Sequence, residues 1–82
     1  MSTQLAEAFH PGEFLAEELE ERQWTLAEFA QNIDQSTPWV SEIISGNRDI
    51  SRQTATEFGR AFSQSEQYWL NLQNEFTQRT TP

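Results

Sequence analysis

The chain has 82 residues, with 13 Asp plus Glu against 5 Lys plus Arg and a formal net charge of −8 at pH 7. That length holds one small domain that buries about 60–65 % of its unfolded surface, and the absence of cysteine excludes disulfide scaffolds, thiolate catalysis and Cys-ligated zinc. The longest apolar runs are far too short to span a bilayer and the N-terminus carries no basic, apolar leader, so a cytoplasmic protein without membrane contact is expected.

Apolar residues recur at spacings of three and four without β-branched alternation, which predicts an all-helical chain. The first helix opens at His10-Pro11-Gly12-Glu13, with proline near the first helical position and Glu13 facing the positive end of the dipole. Phe14, Leu15 and Leu19 form its buried stripe. Thr25 and Glu28 make a capping box for a second helix with Leu26, Phe29, Ala30 and Ile33 on one face, and Asp34-Gln35 breaks it. Ser36 caps a third helix through Val40, Ile43 and Ile44, stopped by Gly46 in the left-handed conformation. Ser51 caps a fourth through Ala55, Phe58, Ala61 and Phe62; Gly59 inside it points to close contact with another element. Ser65 caps a fifth, Glu66 to about Phe76, whose Tyr68, Trp69, Leu70, Leu72 and Phe76 cover more of the circumference than one core stripe needs, which suggests a second subunit. A frayed polar tail is expected from Thr77 to Pro82.

The charge is unevenly spread. Glu7, Glu13, Glu17, Glu18, Glu20 and Glu21 load the N-terminal segment with no base among them, whereas between Ser36 and Phe62 the acids Glu42, Asp49 and Glu57 are balanced by Arg48, Arg52 and Arg60. Non-specific affinity for DNA comes largely from cations that displace counterions, so the overall charge argues against a polyanion partner while the neutral middle of the chain does not. The acidic run reads either as a solvated helix face or as a docking face for a basic partner.

The second and third helices are joined by a turn too tight to lay them antiparallel, the helix-turn-helix arrangement, in which the second helix enters a major groove with its N-terminal residues on base edges. The motifs His10-Pro11-Gly12-Glu13-Phe14-Leu15, Glu17-Glu18-Leu19, Trp24-Thr25, Val40-Ser41-Glu42-Ile43-Ile44-Ser45-Gly46 with Arg48 and Ile50-Ser51, and Tyr68-Trp69-Leu70-Asn71-Leu72-Gln73 resemble the HigA-type antitoxins of the Xre helix-turn-helix family over nearly the whole chain. The resemblance implies a five-helix, lambda-repressor-like domain spanning residues 1–82, with the helix-turn-helix at about 25–46 and a dimerisation helix at about 66–76. It further implies a homodimer that represses its own operon and neutralises a small basic ribonuclease toxin of HigB type, related to RelE.

Carried over from the family, Ser36, Thr37 and Trp39 occupy the groove-facing start of the recognition helix, with Gln35 just before it. Thr25 approaches a phosphate, Ser41 lies one turn further on, and Arg48 contacts backbone after the helix end. Leu26 stands where the family often has glutamine, Asp34-Gln35 replaces its usual Gly-Val turn, and its basic run after Gly46 is thinned to Asn47-Arg48-Asp49. Each departure lowers the expected phosphate contribution. Ser36 is a helix cap in any reading. Trp39 either meets DNA or a partner, or folds back onto a neighbouring helix; Arg48 and Arg52 either neutralise phosphates or pair with acids such as Asp49. Tyr68, Trp69, Leu70, Leu72 and Phe76 are the expected dimer contacts, and Glu17, Glu18, Glu20 and Glu21 the expected face toward a basic toxin, because opposite charge speeds encounter.

A lone histidine without a second ligand pattern predicts no metal, and no nucleophile–base constellation is present, so neither catalytic residues nor cofactors are expected. Two alternatives stand beside the repressor reading. One is an acidic interaction module that inhibits a basic partner without touching DNA. The other is a stand-alone version of a helix-turn-helix domain found fused to a metallopeptidase-like domain, which would be regulatory because this chain supplies no zinc ligands.

Overall fold

Helix starts in this chain are set by side chains that accept otherwise orphaned backbone N–H groups. In the computed structural model, which describes residues 9–80, five helices follow in order: α1 (Pro11–Arg22), α2 (Leu26–Asn32), α3 (Thr37–Ile44), α4 (Arg52–Phe62) and α5 (Glu66–Thr80). Thr25 and Glu28 form the capping box of α2, and Ser36 and Ser51 cap α3 and α4 by accepting from Trp39 N–H and Thr54 N–H. Ser65 Oγ accepts from Gln67 N–H at 3.0 Å. The cap of α1 is His10, whose Nδ1 accepts from Gly12 N–H at 2.9 Å. The described residues contain no strand.

The ends of α2 and α3 follow the expected chemistry. Asp34 takes a φ of 60° in the turn between α2 and α3, and Gly46 a φ of 86° after α3, a conformation that glycine reaches freely and aspartate tolerates. The expected end of α5 at Phe76 is corrected: the helix continues to Thr80. The apolar pattern stops at Phe76, but Thr80 Oγ1 donates to Phe76 O at 2.9 Å and Arg79 pairs with Glu75 one turn back, a favourable placement of a cation near a helix C-terminus. Thr81 and Pro82, the rest of the expected tail, lie outside the described residues, as do residues 1–8 with Glu7.

The core is an aromatic stack enclosed by aliphatic side chains. Phe29 and Phe62 lie parallel with centroids 5.1 Å apart, and Phe58 makes T-shaped contacts with Phe29 at 5.4 Å and with Trp69 at 5.1 Å. Leu15 and Leu19 of α1, Ile33 after α2, Val40 and Ile43 of α3, and Ile50 in the following loop close around them. Phe14, Ile44 and Ala61 are only partly buried and pack at its margin. Two glycines mark close approaches. A Cβ on Gly59 would meet Gln64 O, in the α4–α5 turn, at 2.5 Å, the contact that its sequence position anticipates. A Cβ on Gly12 would lie 1.8 Å from Ile43 O, so α1 and α3 pack backbone to backbone.

Candidate nucleic-acid interface

Burial of Val40 and Ile43 fixes the rotation of α3. At about 100° per residue, the opposite side carries Thr37, Pro38, Ser41, Glu42 and Ser45, all exposed. This face is short, hydroxyl-rich, and has one charged side chain, Glu42. The α2–α3 turn is held by Gln35 N–H donating to Ala30 O at 2.8 Å. Behind α3, Asn47 N–H donates to Glu42 O at 2.8 Å, Ile50 N–H to Gln73 Oε1 of α5 at 2.8 Å, and His10 Nε2 to Asp49 Oδ1 at 3.1 Å. His10 is 6 % exposed and makes a T-shaped ring contact with Phe76. Because its Nδ1 accepts from Gly12, its Nε2 carries the proton given to Asp49. The loop leaving α3 is thereby tied to both α1 and α5.

Of the residues expected to meet DNA, Gln35, Ser36, Thr37 and Ser41 cluster as exposed side chains around the start and outer face of α3. Thr25 is exposed at the start of α2, its hydroxyl accepting from Glu28 N–H at 3.0 Å. Trp39 is half-buried against the core and lines a cleft with Ile33, Gln35, Arg48 and Ser51. The fold-back reading therefore describes most of its ring. Arg48 stands with its guanidinium 5.7 Å from the Trp39 ring centroid and donates through Nε and Nη2 to a single oxygen of Glu42, at 2.9 and 2.7 Å. Its partner is thus Glu42; Asp49, the acid suggested by sequence, is engaged by His10. The remaining arginines also pair with glutamates: Arg22 with Glu18, Arg52 with Glu66, Arg60 with Glu57 and Arg79 with Glu75.

The other two expected surfaces are each trimmed by one residue. Trp69 is removed from the expected dimer contacts, because it is fully buried within the single chain and its indole N–H donates to Gln64 Oε1 at 3.0 Å. Tyr68 is exposed, Leu70, Leu72 and Phe76 are half-buried, and a shallow groove runs past Tyr68, Asn71, Leu72 and Glu75. The Tyr68 phenol is held above its ordinary value of 10.0, first by desolvation and then by the negative charges of Glu18 and Glu17. On α1, Glu17, Glu20 and Glu21 are exposed on the side turned away from Leu15 and Leu19. Glu18 is a strut: it pairs with Arg22 and accepts from Gln64 Nε2 at 3.0 Å. Among the described residues no group of three His, Cys, Asp or Glu side chains could hold a metal ion, and no helix is long and apolar enough to cross a membrane.

No protein-family model matches the chain. Among solved structures, the Pseudomonas aeruginosa antitoxin HigA with the higBA promoter superposes with a TM-score of 0.86 at 39 % identity, over 90 % of this chain and 82 % of that one. The chain belongs to the HigA antitoxin family of Xre-type helix-turn-helix proteins. A second HigA-family structure, an addiction module antidote protein from Coxiella burnetii, gives a TM-score of 0.84 at 32 % identity over 89 % of this chain and 80 % of that one. Virulence-associated protein A' of Dichelobacter nodosus is 34 % identical over 68 residues, which is 82 % of this chain but 59 % of the relative's length. Two features of this HigA-family chain escape sequence reasoning. His10 is a buried cap and clamp, and Glu42 is the acid that engages Arg48. The second becomes readable only once Gly46 is known to fold residue 48 back toward residue 42.

Proposed function

We propose that this chain is an antitoxin that binds operator DNA as a homodimer, represses its own operon, and neutralises a RelE-like toxin of HigB type. The observation that carries this reading is the 39 % identity to a HigA antitoxin solved with its promoter, matched over a fold whose exposed α3 face collects Ser36, Thr37 and Ser41. Insertion of α3 into the major groove puts these hydroxyls and Gln35 at base edges and phosphates. Thr25 adds a phosphate contact from the start of α2, and Arg48 one from behind α3, with the partly buried Trp39 ring beside it. Pairing of two subunits through Tyr68, Leu70, Leu72 and Phe76 places two α3 helices on successive major grooves of a palindrome, about 34 Å apart, and occupancy of the promoter blocks transcription. The α1 face with Glu17, Glu20 and Glu21 supplies charge complementary to a small basic toxin. No cofactor or catalytic step enters this mechanism, and the whole of residues 1–82 acts as one domain.

The net charge of −8 and the engagement of every arginine by a glutamate favour one competing reading, an acidic module that inhibits a basic partner without touching DNA. A mobility-shift titration on the DNA upstream of the chain's own reading frame separates the two. Two or three phosphate contacts per subunit give a slope of log affinity against log salt of about −4 to −5. No shift at any salt concentration refutes the repressor reading and leaves the interaction module.

A further inference from the structure

We propose that Glu42 sets the DNA specificity of this fold by holding Arg48 away from the phosphates of unrelated DNA, releasing it only when α3 is seated on its own site. This rests on the DNA-binding reading above and identifies a residue that reading does not use. Glu42 is the one charged side chain on the outer face of α3, and a single oxygen of its carboxylate takes two hydrogen bonds from Arg48, at 2.9 and 2.7 Å. Both partners are about half exposed, so the pair stands at the surface rather than inside the core. The Trp39 ring under the guanidinium and the Gly46 turn fix Arg48 in that position. A carboxylate that accepts from Nε and Nη2 occupies the edge of the fork with which arginine grips a phosphate oxygen. In the free protein the cation nearest the recognition helix is therefore already neutralised.

Cations that reach phosphates supply sequence-independent affinity, whereas hydroxyl and amide contacts to base edges supply discrimination. Engaging Arg48 with Glu42 suppresses the first without touching the second. An exposed ion pair is a weak lock, worth at most a few-fold in equilibrium terms, so the expected effect is modest and falls mainly on non-specific DNA. Removing the carboxylate frees one fork per subunit, and each freed fork that takes a phosphate steepens the salt dependence by about 0.9.

The test uses the full chain, a duplex carrying its own upstream DNA and an unrelated duplex of equal length, with affinity followed by fluorescence anisotropy from 50 to 300 mM salt. Glu42→Gln should bind the unrelated duplex about fivefold more tightly, steepen the slope by about 0.9 per subunit, and lower the ratio of upstream to unrelated affinity. Arg48→Ala should weaken binding to the upstream duplex, where its phosphate contact is lost, leave the unrelated duplex bound about as by wild type, and abolish both gains of Glu42→Gln on the unrelated duplex when the two are combined. An equal gain of Glu42→Gln with and without Arg48 overturns the proposal, because it reduces the effect to loss of one acid; so does an unchanged slope. The Arg48 Hε resonance reads the pair without DNA. Slow solvent exchange that Glu42→Gln accelerates supports the lock, and exchange as fast as that of a free arginine overturns it. If neither wild type nor Glu42→Gln binds either duplex, the DNA-binding reading fails and takes this inference with it, even where the resonance finds the pair intact.

Discussion

Replacing Gly12 with alanine tests how the recognition helix is positioned. The added Cβ would stand 1.8 Å from Ile43 O, 2.7 Å from Ile43 C and 2.8 Å from Ile44 Cα. All three obstacles are backbone atoms of α3, so no side-chain rotation relieves the clash. Restoring an ordinary contact of about 3.4 Å moves α1 and α3 apart by about 1.6 Å, which loosens Leu15, Val40 and Ile43, all at 0 % exposure. Overpacking of this kind costs about 1–3 kcal/mol; the rigid obstacle places Gly12→Ala near the upper limit, partly offset by the better helix propensity of alanine. For a domain of this size each kcal/mol shifts Tm by about 4–8 °C, so a fall of about 10–20 °C is expected by circular dichroism at fixed protein concentration. Gly46→Ala is the control. A Cβ there meets nothing closer than 3.8 Å, but the φ of 86° strains it, at a cost of about 1–2 kcal/mol. If Gly12→Ala melts within 3 °C of wild type, or above Gly46→Ala, the backbone contact does not position α3.

Three further outcomes follow from particular side chains. Tyr68 is the one tyrosine in the chain, so absorbance at 295 nm follows it alone: its midpoint should lie above 10.0 and fall in Glu17→Gln. The folded state holds this proton more tightly than the unfolded chain, so stability should decline as pH rises through 10; urea melts at pH 9 and 11 with equal midpoints contradict this. Trp69→Ala should cost about 3–5 kcal/mol, whereas Leu72→Glu should leave the fold intact and shift sedimentation from dimer to monomer; an unchanged dimer removes Leu72 from the interface. Ser36→Asp preserves an N-cap while placing a charge at the groove, so the melting temperature should hold while affinity for upstream DNA falls at least tenfold.

Local chemistry was legible in the sequence at most helix starts and turns, where a residue's role depends on its near neighbours. The caps at Thr25, Ser36, Ser51 and Ser65, the break at Asp34-Gln35, the left-handed Gly46, and the tight contact at Gly59 all follow from residues within a turn or two. Much of what escaped reading depends on distant partners. His10 serves α1 as a cap and also reaches Asp49 and Phe76, 39 and 66 positions away. Trp69 shares a wide apolar arc with Tyr68 and Leu72, and only the packing of Phe58 and Phe62 decides that it faces inward. The continuation of α5 past its last apolar residue rests on side-chain to backbone bonds that hydrophobic periodicity does not register.

The acidity of α1 and the proposed approach of α3 to DNA coexist for a geometric reason. Glu17, Glu20 and Glu21 point away from the side of α1 that buries Leu15 and Leu19 and abuts α3 at Gly12. The body of a helix, about 10 Å across with its side chains, therefore separates them from the recognition helix. At physiological salt the screening length is about 8 Å, and at 0.01 M it is about 30 Å. The acids should be nearly silent toward DNA under the first condition and repulsive under the second. Affinity for the upstream duplex should therefore rise with falling salt along a straight log–log line near 0.15 M and flatten below about 0.05 M. Neutralising all three with glutamine should restore a straight line without changing affinity at 0.15 M. A wild-type line that stays straight to 0.01 M would place the acids outside the field felt by DNA altogether, and a triple variant that gains affinity at 0.15 M would place them beside it.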